Sequence, residues 1–339
     1  MPVAPSPPGR IPAAVRPRID LPMTGGGTRW LRSVPTEAAV SDLVADRYGL
    51  EVRSVNLVRS WINDVHRVET TDGTFALKLY AAGRWSAEEI LWEQRLALHL
   101  EAAGVLPAGP VPLVDGRPVG SIEAPEGERC FALTTWVPGE KPRPPWTPAL
   151  YRDVGESLAR LHEAADAFTT DLPRRPLLDG SEAQRVIEAL ADDLRRCELV
   201  QRISEVAQER LTELAARGLR HGICHGDATL DNLHVAGGGI AFYDLDNAGP
   251  AWQASDLVGA LATEFSEPFL EGYTSRRPLG EADLEALPVL RIGMIFENLV
   301  FHLVTKPSLQ GSVTLGEGWV DHAFTELERT AREVGIDGV

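Results

Sequence analysis

The spacing of apolar residues predicts helices and strands in alternation over the first third of the chain. Ala39, Leu43, Val44 and Tyr48 recur at helical spacing, and Thr36 stands where a helix N-cap is expected. The runs that follow have strand character and are listed here with their numbers: VRSVNLVRSW (52–61), DVHRVETT (64–71) and TFALKLY (74–80). The Thr-Asp-Gly triplet at 71–73 predicts a hairpin between the last two runs.

A second helix is predicted from Ser86 to Gly104. Ser86 and Glu89 have the spacing of a capping box, and Gly104 is a typical helix terminator. A further hairpin is expected between PVPLVDG (110–116) and RCFALTTWV (129–137). The first part of the chain is therefore expected to form a small antiparallel sheet with one long helix against it.

The pattern becomes helical after about residue 148. The segments with helical periodicity are 148–165, 182–197, 206–218, 254–265 and 287–304, and they are interrupted by a predicted hairpin at 232–246. The predicted fold class is α+β. The predicted parts of the chain are a proline- and glycine-rich disordered tail (1–28), a nucleotide-binding lobe (29–137) and a larger, mainly helical lobe for catalysis and substrate binding (138–339). The stretch VPGEKPRPPWTP (137–148) is dense in proline and suits a hinge between the lobes.

Composition narrows the functional class. The 339 residues carry a formal net charge of −16, which argues against a non-specific nucleic-acid binder because such proteins need a basic face. The three cysteines are widely spaced and form no C-x-x-C pair, which predicts neither a disulfide framework nor a zinc site and favours a reducing cytoplasm. The apolar runs fall short of the roughly 18–20 residues of a membrane span, so no membrane association is expected.

Polar residues then occur in an order that suits phosphoryl transfer. Lys78 lies on a predicted strand, a glutamate follows on the next helix, and HGDATLDN (225–232) precedes DLD (244–246) by one hairpin. Phosphoryl transfer needs a cation for the nucleotide phosphates, oxygen ligands for Mg²⁺ and a carboxylate for the attacking hydroxyl. This order resembles the aminoglycoside phosphotransferase family, which has a bilobal protein-kinase-like fold, and the resemblance covers residues from about 30 to 335.

The resemblance implies roles for the acidic and amide residues. Asp227 matches the catalytic aspartate, and Asn232 and Asp244 match the Mg²⁺ ligands. His225 and Asp256 match residues that support the loop, and a chemical role for His225 is the alternative. Asp246 is expected to support the metal ligands, with direct contact to metal or water as the alternative. Lys78 matches the lysine that holds the nucleotide phosphates. Either Glu89 or Glu93 can brace this lysine from one helix face, and the family pattern E-x-x-x-L favours Glu93.

The nucleotide site implied by the resemblance includes the hinge and the loop between the first two strands. The carbonyl of Thr135 and the amide of Val137 are expected to face the purine. The loop RSWINDVHRV contains no glycine, so Ser60 and Asn63 are the candidates for phosphate contacts. ATP with Mg²⁺ is the expected cofactor, and GTP stays open.

The expected activity is transfer of the γ-phosphate to a hydroxyl of a small molecule, such as an aminoglycoside-like antibiotic or a hydroxy-amine metabolite. A cationic acceptor is compatible with the acidic chain. Two alternatives stay open: a kinase acting on Ser or Thr of a protein or precursor peptide, and a nucleotide-binding pseudokinase or partner-binding module. The presence of Lys78, Asp227, Asn232 and Asp244 together weighs against the last, because a scaffold has no physical need for all four.

Overall fold

The computed structural model describes residues 30–106, 108–190, 192–237 and 239–336. The described residues divide into two compact units, one made of residues 30–177 and 220–280 and the other of residues 178–219 and 281–336. We call the described part of the first the sheet unit and that of the second the helical unit. The tail predicted at 1–28 lies outside the described residues. The lobe boundary predicted at residue 137 falls inside the sheet unit and stays a prediction.

The N-terminal elements of the sheet unit follow the predicted order. They are α1 (Glu37–Tyr48), β1 (Val52–Ser60), β2 (Asp64–Thr70), β3 (Thr74–Leu79), α2 (Ala87–Ala102), β4 (Pro110–Val111), β5 (Gly120–Ala124) and β6 (Gly127–Thr135). The strands form an antiparallel sheet in the order β1-β2-β3-β6-β4, with β5 paired to β6. Thr36 caps α1, and Ser86 and Glu89 form the capping box of α2, so both predicted helix starts are confirmed.

The two faces of β3 serve different purposes. Phe75, Leu77 and Leu79 are buried and pack with Val40 and Val44 of α1 in one hydrophobic cluster. Successive side chains of a strand point to opposite faces, so Lys78 projects from the other face. The alternation of apolar residues in TFALKL thus fixes both the core and the side from which the lysine emerges.

The predicted hairpin between 110–116 and 129–137 is only partly correct. Pro110 and Val111 do pair with β6, at Thr134 and Leu133, but the immediate hairpin partner of β6 is β5. The segment GSIEA of β5 carries one large apolar residue, Ile122, which gives it a weak strand pattern. Pairing with the long strand β6 stabilises β5 as a strand, although the β5 sequence alone does not predict one.

The remaining elements are mainly helical. They are α3 (Pro148–Ala165), α4 (Ser181–Ala189), α5 (Leu194–Ala216), β7 (His221–Cys224), β8 (Leu233–Ala236), β9 (Gly239–Phe242), β10 (Gly249–Trp252), α6 (Val258–Leu261), α7 (Ser266–Thr274), α8 (Glu281–Val300), α9 (Lys306–Gln310) and α10 (Trp319–Glu333). The predicted hairpin is β8–β9. The antiparallel pair β7–β10 was not predicted, because each strand is only four residues long.

The helical unit packs α4, α5, α8 and α10 around one apolar cluster. The helices predicted at 182–197 and 206–218 are placed incorrectly, since α4 ends at Ala189 and α5 then runs without a break from Leu194 to Ala216. The side chain of Asp193 accepts a hydrogen bond from the N–H of Arg196 and starts α5. Asp193 lies inside the segment 182–197, whose apolar periodicity is continuous, so periodicity alone does not predict the break between α4 and α5.

The helical stretch Glu281–Gln310 is apolar and, by length and composition alone, long enough to cross a membrane. It comprises α8, a π-helical turn at Phe301–Thr305 and α9. Its residues Ile292, Leu299 and Leu303 are buried within the apolar cluster of the helical unit. The apolar character of this helix is therefore accounted for by the core that it builds.

Replacing Leu77 by Ala should test the core between the sheet and α1. Leu77 is fully buried, and a Leu→Ala change at such a site costs about 2–5 kcal/mol through lost burial and a residual cavity. A urea titration followed by tryptophan fluorescence measures the change. Leu57→Ala is the control, because Leu57 of β1 is 41% exposed and its removal should change the midpoint little. Equal effects of the two substitutions would contradict this description of the core.

Candidate active site

The loop that carries Asp227 begins at the end of β7 and turns at Gly226. Gly226 has a φ of +77°, and a Cβ atom built on it would lie 2.0 Å from the carbonyl oxygen of Asn247. Only glycine meets both requirements. The glycine of the HGD sequence is therefore explained by the close approach of the segment that follows Asp244.

Asp256 supports this loop through hydrogen bonds to its backbone. Its carboxylate accepts hydrogen bonds from the backbone N–H of His225 at 2.6 Å and of Gly226 at 2.8 Å. His162 Nε2 lies 3.0 Å from the same carboxylate. Burial alone would raise the pKa of Asp256, but the hydrogen bond and charge of His162 outweigh it and hold this pKa below its usual range. The loop-supporting role predicted for Asp256 agrees with these contacts.

His225 is engaged through both ring nitrogens. Nε2 lies 2.9 Å from the carbonyl oxygen of Tyr243, and the N–H of Asp227 donates to Nδ1 at 3.3 Å. A neutral ring with its proton on Nε2 satisfies both contacts. His225 thereby ties the loop of Asp227 to the residue before Asp244, which is the supporting role expected of it.

Asp227 and Asn232 are in direct contact. The side-chain amide of Asn232 donates to Asp227 Oδ2 at 2.7 Å and to the Asp227 carbonyl at 3.1 Å. This orientation leaves Asn232 Oδ1 directed away from Asp227. Burial raises the pKa of Asp227 above its usual range, and the hydrogen bond from Asn232 opposes this only in part.

The β8–β9 hairpin brings Asn232 next to Asp244. The N–H of Tyr243 donates to the carbonyl of Asn232 at 2.9 Å, so the residues on either side of the hairpin are joined. Asp244 itself has a left-handed backbone with a φ of +63°, which is unusual for a residue other than glycine. Such a conformation is typical of functional sites, where the surrounding structure holds a strained residue in place.

Lys78 links the sheet to Asp244. Its ammonium nitrogen lies 2.6 Å from Asp244 Oδ1 and 3.2 Å from Glu93 Oε1. Glu89 instead forms the capping box and pairs with Arg175 at 2.7 Å, so the preference for Glu93 over Glu89 agrees with the structure. Glu93 thus contacts the lysine directly, and its role in a nucleotide site stays a prediction.

Charge compensation favours the ionised forms of Lys78 and Asp244. Burial would lower the pKa of Lys78, but the carboxylates of Asp244 and Glu93 raise it above its usual range. For Asp244, burial is outweighed by Lys78, and the pKa lies below its usual range. Burial raises the pKa of Glu93 despite the nearby ammonium.

Asp246 is buried beside the same cluster. Its Oδ1 lies 3.8 Å from Lys78 Nζ and has no hydrogen-bond partner among the described residues. Its Oδ2 faces Arg84 Nε at 3.4 Å. An unpaired buried carboxylate oxygen is costly unless something binds it.

The oxygen donors fit a hard divalent cation. Mg²⁺ prefers carboxylate and amide oxygens, and Asp244 and Asn232 supply one of each. Asp246 Oδ1 offers a further unpaired oxygen nearby. These residues would hold a metal ion, and Lys78 would face the phosphates of the nucleotide to which that ion is bound.

The hinge residues are held firmly by backbone contacts. The N–H of Thr135 donates to the carbonyl of Gly109 at 3.0 Å, and the hydroxyl oxygen of Thr135 accepts from the Gly109 N–H at 3.1 Å. The carbonyl of Val137 lies 2.9 Å from His234 Nδ1. The predicted purine contacts use the other backbone groups, the Thr135 carbonyl and the Val137 N–H, and stay a prediction.

Ser60 and Asn63 have structural partners of their own. The Ser60 hydroxyl donates to Asp64 at 2.7 Å and accepts from Arg32 at 2.7 Å. The side-chain oxygen of Asn63 accepts from the Ala81 N–H at 2.9 Å. These contacts shape the loop between β1 and β2, and phosphate binding by either side chain stays a prediction.

Several arginines that the sequence did not single out reach the site. Arg59 donates to Asn232 Oδ1 at 3.4 Å, and Arg84 donates to Asn247 Oδ1 at 2.8 Å. Arg174 donates to the carbonyls of Ala248 and Asp246. No motif marks them, because their roles depend on tertiary contacts over long sequence separations.

Comparison with known proteins places this arrangement in a family. The family described as "Phosphotransferase enzyme family" matches residues 54–287. The chain belongs to this phosphotransferase family. An uncharacterized protein of Deinococcus radiodurans is 35% identical over 76% of this chain and 79% of its own length. The homoserine kinase of Phenylobacterium zucineum is 31% identical over 76% of this chain and 82% of its own length.

Solved structures of kinases share the fold of this phosphotransferase. The amicoumacin kinase hAmiN, in complex with AMP-PNP, Ca²⁺ and Ami, superposes with a TM-score of 0.65 at 20% identity, covering 88% of this chain and 93% of that one. A microcompartment-associated aminopropanol kinase gives a TM-score of 0.65 at 20% identity, covering 88% and 99%. The predicted α+β, protein-kinase-like fold and the predicted family are confirmed.

Replacing Asp256 by Ala should destabilise this phosphotransferase strongly. Loss of the carboxylate leaves buried donors of His225, Gly226 and His162 unpaired, which costs about 3–5 kcal/mol. Urea titrations across a pH series measure the cost. Because the pKa of Asp256 is lowered on folding, its contribution is full above about pH 4, the ordinary aspartate value, and declines as the pH falls through the lowered pKa.

Asp171→Ala serves as the control for this substitution, since the Asp171 side chain is 93% exposed. A pH-independent difference between Asp256→Ala and the wild type, or a cost no larger than that of the control, would contradict the role given to Asp256.

Proposed function

We propose that this protein is an ATP- and Mg²⁺-dependent kinase that phosphorylates a hydroxyl group of a small molecule. The observation that carries the proposal is the convergence of Lys78, from the sheet, with Asp244 at 2.6 Å, while Asp227 and Asn232 are paired one hairpin away. Phosphoryl transfer depends mainly on positioning and charge neutralisation, and these residues supply the groups for both.

Each residue has a distinct task in this proposal. Lys78, oriented by Glu93, neutralises nucleotide phosphate oxygens. Asp244 and Asn232 would hold a divalent cation, and that cation would supply positive charge to offset the negative charge of the phosphates. Asp227 accepts a hydrogen bond from the acceptor hydroxyl and so directs its oxygen at the γ-phosphorus.

The transfer balances without a covalent enzyme intermediate. A bond forms between the acceptor oxygen and the γ-phosphorus, and the bond from that phosphorus to the β,γ-bridging oxygen breaks. ADP leaves with the bonding electron pair, and the hydroxyl proton passes to Asp227. Asp227 must be ionised to accept it, and the hydrogen bond donated by the Asn232 side chain favours the ionised form, against the burial that raises the pKa of Asp227.

Small amino alcohols are the acceptor class that we propose. Support comes from the relatives, because homoserine kinases at about 30% identity recur among them and an aminopropanol kinase shares the fold. Both names describe a hydroxyl carried by a small amine-bearing molecule. The named relatives lend no support to a peptide acceptor. A cytoplasmic location is part of the proposal and is supported by the unpaired cysteines.

Asp227→Asn should abolish most of the phosphoryl transfer while leaving nucleotide binding intact. Loss of a residue that accepts the hydroxyl proton lowers rates by about 100-fold or more. The assay incubates the protein with Mg²⁺ and ATP or GTP and a panel of homoserine, aminopropanol, choline, aminoglycosides and serine-containing peptides, and detects products by mass spectrometry.

Asp231→Asn is the matched control, since Asp231 lies on the same loop with a side chain that is 85% exposed. Near-normal transfer by Asp227→Asn would rule out the proposed mechanism. Phosphorylation of a peptide in preference to every small molecule would overturn the proposed acceptor class. Nucleotide binding without transfer to any acceptor would favour the non-catalytic alternative.

A further inference from the structure

The strand register places a second cation, Arg59, in line with Lys78 but two strands away. Arg59 of β1 is paired with Val65 of β2, and Val65 is paired with Lys78 of β3. Residues directly opposite each other on antiparallel strands project from the same face of the sheet. Arg59 and Lys78 therefore stand in one cross-strand row and emerge on the side opposite the buried core of Leu77 and Leu79.

The Arg59 side chain, like that of Lys78, contacts one of the two candidate metal ligands. Its Nη1 donates to Asn232 Oδ1 at 3.4 Å, across a separation of 173 residues. Burial raises the pKa of Asp227, and the Arg59 charge is among the groups that oppose this. Lys78 thus contacts Asp244, and Arg59 contacts Asn232, the hydrogen-bond partner of Asp227.

The loop that follows Arg59 does not offer the usual means of binding phosphate. It contains no glycine between Arg59 and Val65, so its backbone cannot approach a ligand as a glycine-rich loop does. The Ser60 hydroxyl is bonded to Asp64 and Arg32, and the Asn63 side chain to the Ala81 N–H. These side chains maintain the loop, whereas the Arg59 guanidinium extends away from it toward Asn232.

We propose that Arg59 binds the terminal phosphate of the nucleotide and takes over the task of the absent glycine-rich loop. This inference rests on the proposed function. A divalent cation held by Asn232 Oδ1 would take the acceptor that Arg59 now uses and would repel the guanidinium, which would then be available to anionic phosphate oxygens. A planar guanidinium suits a phosphate because it donates two parallel hydrogen bonds. There it stabilises the charge that the transferring phosphoryl group spreads over its oxygens.

Calorimetric titration with two nucleotides tests this assignment. Mg²⁺ with AMP-PNP presents the terminal phosphate, and Mg²⁺ with ADP does not. Arg59→Gln should weaken AMP-PNP binding by about tenfold or more, the size expected for hydrogen bonds to a charged group, while ADP binding changes by less than about twofold. Arg59→Lys should lose part of the AMP-PNP affinity, since it keeps the charge and loses the two-pronged geometry.

Arg53→Gln is the matched control, because Arg53 is an exposed arginine at the other end of β1. The assignment of Arg59 would be overturned, with the proposed function unaffected, by either of two results. One is that Arg59→Gln binds both nucleotides as tightly as Arg53→Gln does; the other is that Arg59→Gln loses equal affinity for AMP-PNP and ADP. A wild-type protein that binds neither nucleotide in the presence of Mg²⁺ would overturn the proposed function and this inference with it.

Discussion

The partly buried contact between the Lys78 ammonium and the Asp244 carboxylate is the interaction on which the active site depends. It joins residues 166 positions apart and ties the sheet to the segment that follows the β8–β9 hairpin. Removing two charges from water is costly, and their attraction compensates only when the geometry is good and further partners are present. Glu93 supplies such a partner at 3.2 Å, which keeps the lysine charged and in position.

The same constraint explains the surroundings of the site. The ion pair positions only the side chains, so the backbone that carries Asp227 must be held separately. Asp256 does this through the N–H groups of His225 and Gly226, and His225 extends the support to Tyr243. The left-handed backbone of Asp244 persists because it lies between the hairpin and the Lys78 contact. A rigid, prearranged set of charges is what phosphoryl transfer requires.

Much of this site was predictable because its chemistry is recorded in short motifs. The order of a lysine on an alternating strand, HGDATLDN and DLD carries the family resemblance, and that resemblance implies roles for Lys78, Asp227, Asn232 and Asp244. The structure places Lys78 against Asp244 and Asp227 against Asn232. Helix starts at Thr36 and Ser86 were equally clear, since caps act locally.

The unpredicted parts depend on partners that are distant in sequence. The strands β7 and β10 are four residues long and gain their order from each other. The start of α5 is decided by Asp193, a single cap within a periodic segment. Arg59 lies in a strand with irregular register at Leu57 and Arg59, so neither its face nor its contact with Asn232 follows from alternation.

The most direct test of this account is the Mg²⁺ dependence of AMP-PNP binding in the wild type and in Asp244→Asn. In this account Asp244 contacts both Lys78 and the metal ion bound to the nucleotide. Mg²⁺ should therefore strengthen AMP-PNP binding to the wild type by about tenfold or more relative to EDTA, the size expected for an added interaction with a charged group. Asp244→Asn should lose that gain. An equal gain in the variant, or none in the wild type, would contradict the central role given to the contact between Lys78 and Asp244.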